Sequence, residues 1–356
     1  MLAAKCNFFV QIYKHFAVNA FRGGEMDLQE KLALVKSNTV EIVTEEELEE
    51  LLSKSRKPTA YCGYEPSGEI HLGHLVTVSK LIDLENAGFN VKVLLADWHA
   101  FLNRKGSWEF IHRTAKNWES AFKKLGLKKT ECVLGSRFQR SSDYIDDVLT
   151  LSLNTTIKRG MRSMQEVARD LEHAHISQVI YPLMQIADIK HLNVDVAQSG
   201  IEQRKIHMLG REILETVKYK KPVLVHTPLI NSLQGEGKMS SSASESLISV
   251  RDSEEDIRSK LNKAYCPEAR VEDNPVIEIA RLIIFPRVER FEIERPQRFG
   301  GSISFDSIGE LEKKYVARQL HPMDLKKGIA EELIRILSPV RLAFKDQPAS
   351  INLESA

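Results

Sequence analysis

Two periodicities alternate along the first half of the chain. Thr59 to Gly63 and Val91 to Ala96 are short, mostly apolar runs of strand length. Between them Leu75, Val78, Leu81, Ile82 and Leu84 recur at helical spacing up to about Ala87, and a second helical face runs from Trp108 to Leu125. Strand, helix, strand, helix predicts a parallel sheet with helices on both faces. Val223 to Thr227 reads as a late strand leading into a polar, Gly-rich loop. Beyond about Ser253 the strand pattern stops, and Ser253 to Lys263, Pro275 to Ile284, Ser307 to Lys314 and Pro322 to Leu337 read as helices. The expected organisation is an α/β domain followed by a smaller, mainly helical one, without internal repeats.

A chain of 356 residues accommodates two domains, and 42% apolar with 28% charged residues is the balance of a soluble globular protein. A net charge of +1 excludes a strongly basic protein, so any nucleic-acid contact must come from local patches. Lys123, Lys124, Lys128 and Lys129 form one, Lys158, Arg159 and Arg162 another, and Arg287, Arg290, Arg295 and Arg298 a third. Each is read either as a solvated face or as an RNA contact. Cys6, Cys62, Cys132 and Cys266 show no paired spacing, so neither a zinc site nor a disulfide framework is expected, and free thiols point to a reducing cytoplasm. No apolar run reaches the roughly 20 residues of a membrane span. Met1 to Gly24 carries Lys5, Lys14 and Arg22 with no acidic residue. It reads as a targeting segment or, as we favour, as an extension ahead of a true start at Met26.

The chemistry is concentrated in two short stretches. His71-Leu72-Gly73-His74 follows a strand and a Pro/Gly turn and opens a helix, where free N–H groups and the positive dipole end attract anions. His71 and His74, three apart, share one side of the first turn and are suited to donating to phosphate oxygens as charge develops. Lys238-Met239-Ser240-Ser241-Ser242 supplies a mobile cation, and Gly235 and Gly237 precede it. Either string alone also reads blandly, as a capping turn or as a flexible polar loop. Together, in this order, they point to adenylyl transfer on ATP.

These motifs, with Tyr61-Cys62-Gly63-Tyr64-Glu65-Pro66-Ser67-Gly68, Leu95-Ala96-Asp97-Trp98-His99-Ala100, Tyr181-Pro182-Leu183-Met184-Gln185, Asp195-Val196-Ala197, Glu202-Gln203-Arg204-Lys205 and His321-Pro322-Met323-Asp324-Leu325-Lys326, carry a resemblance. The chain resembles a class I aminoacyl-tRNA synthetase, more narrowly the tyrosyl-tRNA synthetases of archaeal and eukaryotic type, from about Asn38 to about Arg341. The resemblance implies a Rossmann-like parallel-sheet catalytic domain over 38–252 and a helical anticodon-binding domain over 253–345. An extension with a leading helix would occupy 1–37 and a tail 346–356. It also implies a cytoplasmic homodimer, with apolar residues between Trp108 and Leu149 at the interface.

By the same resemblance Tyr61 and Asp188 meet the phenol hydroxyl of tyrosine, while Tyr181, Gln185 and Gln203 hold its α-ammonium. Glu202 matches the position at the ATP ribose, and Gly63, Glu65 and Gly73 border the nucleotide. Where the family usually has two glycines, this chain has Ser199-Gly200. Arg204 and Lys205 would face the first base pair of tRNA(Tyr), and Phe299 and Asp324 the anticodon. The tyrosine carboxylate is already a nucleophile, so catalysis needs positioning and charge stabilisation by His71, His74, Lys238 and Ser241, with Mg²⁺ arriving on ATP and no dedicated metal site. Competing readings are a tryptophanyl-tRNA synthetase, against which Tyr61, Asp188 and Ser241 argue, a small nucleotidyltransferase, which would not need the helical domain, and a non-catalytic RNA-binding descendant.

Overall fold

Six strands build the central sheet of a computed structural model that describes residues 26–54, 57–165, 175–235, 237, 239 and 246–345. The strands are β1 Glu41–Val43, β2 Thr59–Tyr64, β3 Asn90–Leu95, β4 Glu131–Leu134, β5 Val196–Gly200 and β6 Val223–Thr227, in spatial order β1-β6-β5-β2-β3-β4. All neighbours are parallel except the edge strand β1, which runs antiparallel to β6. Strand order reverses between β2 and β5. In open α/β sheets the crevice beyond the carboxyl ends of two such strands is where ligands bind. Glu65 follows β2 directly, and Glu202 and Gln203 follow β5.

The expected strands and most helices form with ends shifted by a residue or two; the last helix runs six residues past Leu337 to Ala343, and the Pro275 helix is α-helical to Ile279 and continues as a π-helical turn to Ile284. The helix Trp108–Lys124 shows why its pattern was readable: Phe110, Ile111, Thr114, Ala115, Trp118, Ala121 and Phe122 make one buried face, and the Ser107 hydroxyl caps its start by accepting from Phe110 N–H. The helix Ile176–His191 is buried from Tyr181 to Ile189 apart from Gln185, including the carboxylate of Asp188.

Two units emerge from the contacts within the chain. Among the described residues, one comprises Leu34–Gly68 and Lys80–Pro228 and contains the sheet; the other joins Glu69–Ser79 to residues 229–345, with 26–33. The second unit has the helices Glu254–Lys263, Pro275–Ile279, Ile308–Val316 and Pro322–Ala343. One expectation is corrected here, because strands do not stop at Ser253. β7 Phe291–Ile293 pairs antiparallel with β8 Ile303–Phe305, with Phe291, Ile293 and Phe305 facing inward. Three-residue strands on either side of a Pro- and Arg-rich loop are too short to leave a periodic signal. Met1 to Gly24, Lys238 and Ser241 lie outside the described residues.

Candidate active site

In the sheet unit, Asp188 is fully buried and works as a hub. Its Oδ1 accepts from Gln139 Nε2 at 2.7 Å and from the Tyr144 hydroxyl at 2.9 Å. Among the described residues its Oδ2 has no hydrogen-bond partner, and His99 Nε2, likewise without one, lies 3.7 Å away. A buried carboxylate oxygen left bare costs several kcal/mol unless a donor arrives. Burial accordingly pushes the Asp188 carboxyl up to about 7, against the pull of its two donors. Burial also raises the Tyr61, Tyr144 and Tyr181 hydroxyls well above the usual phenol range, so all three remain neutral. Tyr61, on β2, is 1% exposed, and the Asp188 charge adds to the effect of its burial.

The same helix presents Tyr181 and Gln185 about two turns and one turn before Asp188. Tyr181 donates to Glu65 Oε1 at 2.5 Å, and Asn103 Nδ2 holds both oxygens of Glu65 at 3.1 Å. Glu65, expected to border the nucleotide, thus orients the Tyr181 hydroxyl. Gln185 Nε2 donates to Gln203 Oε1 at 3.3 Å. Gly63 is exposed on β2. Gly200 ends β5, and a Cβ there would run into the Glu202 carboxylate, so glycine at this position is what lets Glu202 keep its place. Ser199, the departure from two glycines, turns its hydroxyl onto Gly200 O at 2.9 Å.

In the other unit the histidine turn is pinned by the segment that follows the lysine loop: Leu72 N–H donates to Ile248 O and Val250 N–H to Ile70 O. His71 Nδ1 accepts from Gly73 N–H at 3.1 Å, and His74 Nδ1 accepts from His71 N–H at 3.2 Å. Burial holds His71 down to about 4, and burial with the neighbouring ring holds His74 well below imidazole's ordinary value. Both rings are thus neutral with the proton on Nε2, a pair of hydrogen-bond donors whose centroids are 4.0 Å apart. Gly73 permits this, since a Cβ there would sit 2.9 Å from His71 Cε1. Gly235 and Gly237 adopt positive φ of 82° and 67°, a conformation that favours glycine.

The family model for class I tRNA synthetases (W and Y) matches residues 53–338. The tyrosine–tRNA ligase of Methanopyrus kandleri is 50% identical over 320 residues, covering 89% of this chain and 98% of its own. The chain belongs to the tyrosyl-tRNA synthetases of class I. Within this synthetase family, the tyrosyl-tRNA synthetase from Archaeoglobus fulgidus, solved in complex with L-tyrosine, superposes with a TM-score of 0.87 at 50% identity over 89% of this chain and 99% of that one. A tryptophanyl-tRNA synthetase from Aeropyrum pernix shares the fold, at 23% identity and a TM-score of 0.68.

Residues that sequence reasoning missed in this synthetase are the partners: Gln139 and Tyr144 on Asp188, His99 facing it, and Asn103 on Glu65. Of the tRNA candidates, Arg204 is exposed with its guanidinium on Glu41, and Lys205 reaches Gln165 at 3.0 Å. Phe299 is 56% exposed with the Arg298 guanidinium 4.9 Å above its ring. Asp324 lies in the first turn of Pro322–Ala343.

Proposed function

We propose that the chain is a tyrosine–tRNA ligase, and the observation that carries this is the bare, buried Oδ2 of Asp188 beside Tyr61. It activates L-tyrosine with ATP to tyrosyl-adenylate and pyrophosphate, then transfers tyrosine to the 3′ end of tRNA(Tyr). The substrate phenol donates to Asp188, while Tyr181, Gln185 and Gln203 receive the α-ammonium. The tyrosine carboxylate attacks the α-phosphorus, and His71 and His74 donate from Nε2 to the phosphate oxygens that gain charge. Gly63, Gly73 and Glu202 border the nucleotide. Mg²⁺ enters on ATP as part of the substrate, and Lys238 and Ser241 act from the lysine loop. The terminal ribose hydroxyl of the tRNA then attacks the adenylate carbonyl and AMP leaves. Tyrosine-dependent ATP–pyrophosphate exchange without tRNA tests the reading. Exchange with tyrosine but neither phenylalanine nor tryptophan is expected, and exchange with tryptophan instead would overturn the pocket assignment.

Arg204 and Lys205 engage the acceptor end, and Phe299 and Asp324 the anticodon: an exposed aromatic stacks on an unpaired base and a carboxylate accepts from a guanine edge. Asp324→Ala is expected to lower tRNA charging about tenfold or more while exchange stays within about twofold. Equal loss in both assays would count against an anticodon role. The helical domain over 253–345 is assigned this task and 38–252 the catalysis, with the segment before 38 as an extension and that after 345 as a tail. Ile145, Leu149 and Leu153 form an exposed apolar stripe along Ser142–Leu153, continued by Ile157, which supports a homodimer joined there. Among the described residues no helix is long and apolar enough to cross a membrane, and we assign the work to the cytoplasm, where its tRNA is charged.

A further inference from the structure

Behind the tyrosine pocket a line of polar side chains runs from Gln185 to the β1–β6 edge of the sheet. Besides its bond to Gln203, Gln185 Nε2 lies 3.5 Å from His207 Nε2. His207 Nδ1 is 3.3 Å from His226 Nε2, and His226 Nδ1 is 3.0 Å from Glu41 Oε2. Arg204 closes the outer end, with Nε 2.7 Å from Glu41 Oε2 and Nη2 2.8 Å from Oε1. Topology creates the line: Glu41 and His226 are direct cross-strand partners, and Arg204 and His207 are a turn apart on the helix Arg204–Ile213.

Donors in this line run in one direction only. Arg204 has only donors, and ionised Glu41 has only acceptors. The Arg204 guanidinium holds the Glu41 carboxyl below the usual range, and burial keeps both imidazoles neutral, His207 down to about 3. His226 must then carry its one proton on Nδ1, toward Glu41, which makes its Nε2 an acceptor. His207 meets that acceptor with Nδ1–H, so its own Nε2 accepts in turn. Only the NH₂ of Gln185 can answer it, and the amide oxygen is turned away.

We infer that Glu41, His226 and His207 are positioning residues for tyrosine activation, holding the Gln185 carboxamide so that its oxygen meets the substrate's α-ammonium. The inference rests on the tyrosine reading of the pocket. An ammonium group has three donors and no acceptor, so a reversed amide sets donor against cation. Reversal is resisted because each turned link would leave like groups facing each other in a buried place. The outer end of the line is Arg204, so the residue assigned to the tRNA acceptor end shares a carboxylate with the line that orients the amino-acid pocket.

Glu41→Gln tests this without changing size. Arg204, with donors only, claims the new amide oxygen and turns the new NH₂ toward His226 Nδ1, and the whole line reverses. The dissociation constant of tyrosine should rise about tenfold or more, the scale of one hydrogen bond to a charged group. That of 3-(4-hydroxyphenyl)propionate, which keeps the phenol and carboxylate but lacks the amine, should change by less than about twofold. On an Arg204→Ala background the new amide can return its oxygen to His226, so there Glu41→Gln should cost tyrosine less than about twofold. Unchanged tyrosine affinity, equal weakening of both ligands, or the same loss on both backgrounds would overturn the inference alone. Tyrosine binding by the unsubstituted chain is the control, and its absence would overturn the tyrosine reading and this inference together.

Discussion

Asp188→Asn is expected to make the protein a poorer enzyme and, at alkaline pH, a more stable one. The asparagine oxygen can keep both bonds now made by Oδ1, from Gln139 and Tyr144, so the site stays assembled. The charged acceptor for the substrate phenol is lost, and a hydrogen bond to a charged group contributes about 1.5–3 kcal/mol. Tyrosine kcat/KM in exchange should therefore fall about 10- to 150-fold, with little change for phenylalanine. Tyrosyl-tRNA synthetases are themselves the reference case for such selection, near 10⁵ against phenylalanine. The stability effect follows from the sign of the shift. Burial raises the Asp188 carboxyl from 3.8 to about 7 in the fold, so between those values the folded state binds the extra proton and stability falls as pH rises. The penalty is complete above about pH 7 and absent below about 4. Asparagine carries no such penalty. Its melting temperature should exceed that of the unsubstituted protein at pH 8 and converge with it toward pH 4, and a gap independent of pH would contradict a desolvated carboxylate. Tyrosine, arriving as the missing donor on Oδ2, favours the ionised form, so its KM in the unsubstituted enzyme should fall as pH rises toward 7.

What the chain reveals unaided divides along a physical line. β2, β3 and β6 are apolar runs, and Trp108–Lys124 has one buried face, so local periodicity exposes them. β1 is a three-residue edge strand that begins with the charged Glu41, and β5 is wholly buried yet includes Gln198 and Ser199, so neither shows an apolar run of strand length. The histidine turn was legible because its chemistry is contiguous: each histidine is held by backbone N–H groups within three residues. Asp188 was legible only through resemblance, since its donors Gln139 and Tyr144 are 49 and 44 residues away. Residue types reveal what a group can do, but which buried acceptor meets which donor is decided by the sheet order. The line from Gln185 to Glu41 is the extreme case, because it depends on β1 pairing antiparallel with β6.

His74→Ala should remove about 10²- to 10³-fold from kcat in exchange, the cost of one preorganised donor at a charge that develops in the transition state, while tyrosine KM changes little. The geometry specifies which donor. His74 Nδ1 already accepts from His71 N–H, so its proton is on Nε2, and an amide nitrogen at the reach of Nε2 should recover part of the loss. His74→Gln is therefore expected to be less impaired than His74→Ala. The substitution also removes a buried acceptor from the turn, and comparing the two variants separates that structural cost from the catalytic one. The pH dependence separates the roles further. With His71 held to about 4 and His74 well below its ordinary value, neither ring gains or loses a proton between pH 5.5 and 8. At saturating tyrosine, kcat should show no imidazole titration across that range, and the dependence on the Asp188 carboxyl should appear in tyrosine KM instead. A kcat that drops with an apparent pKa near 6.5 would mean that a histidinium or a histidine base takes part, and the picture of two neutral donors would have to be abandoned. A flat kcat with a pH-dependent KM would assign charge stabilisation to the histidine turn and substrate selection to the carboxylate.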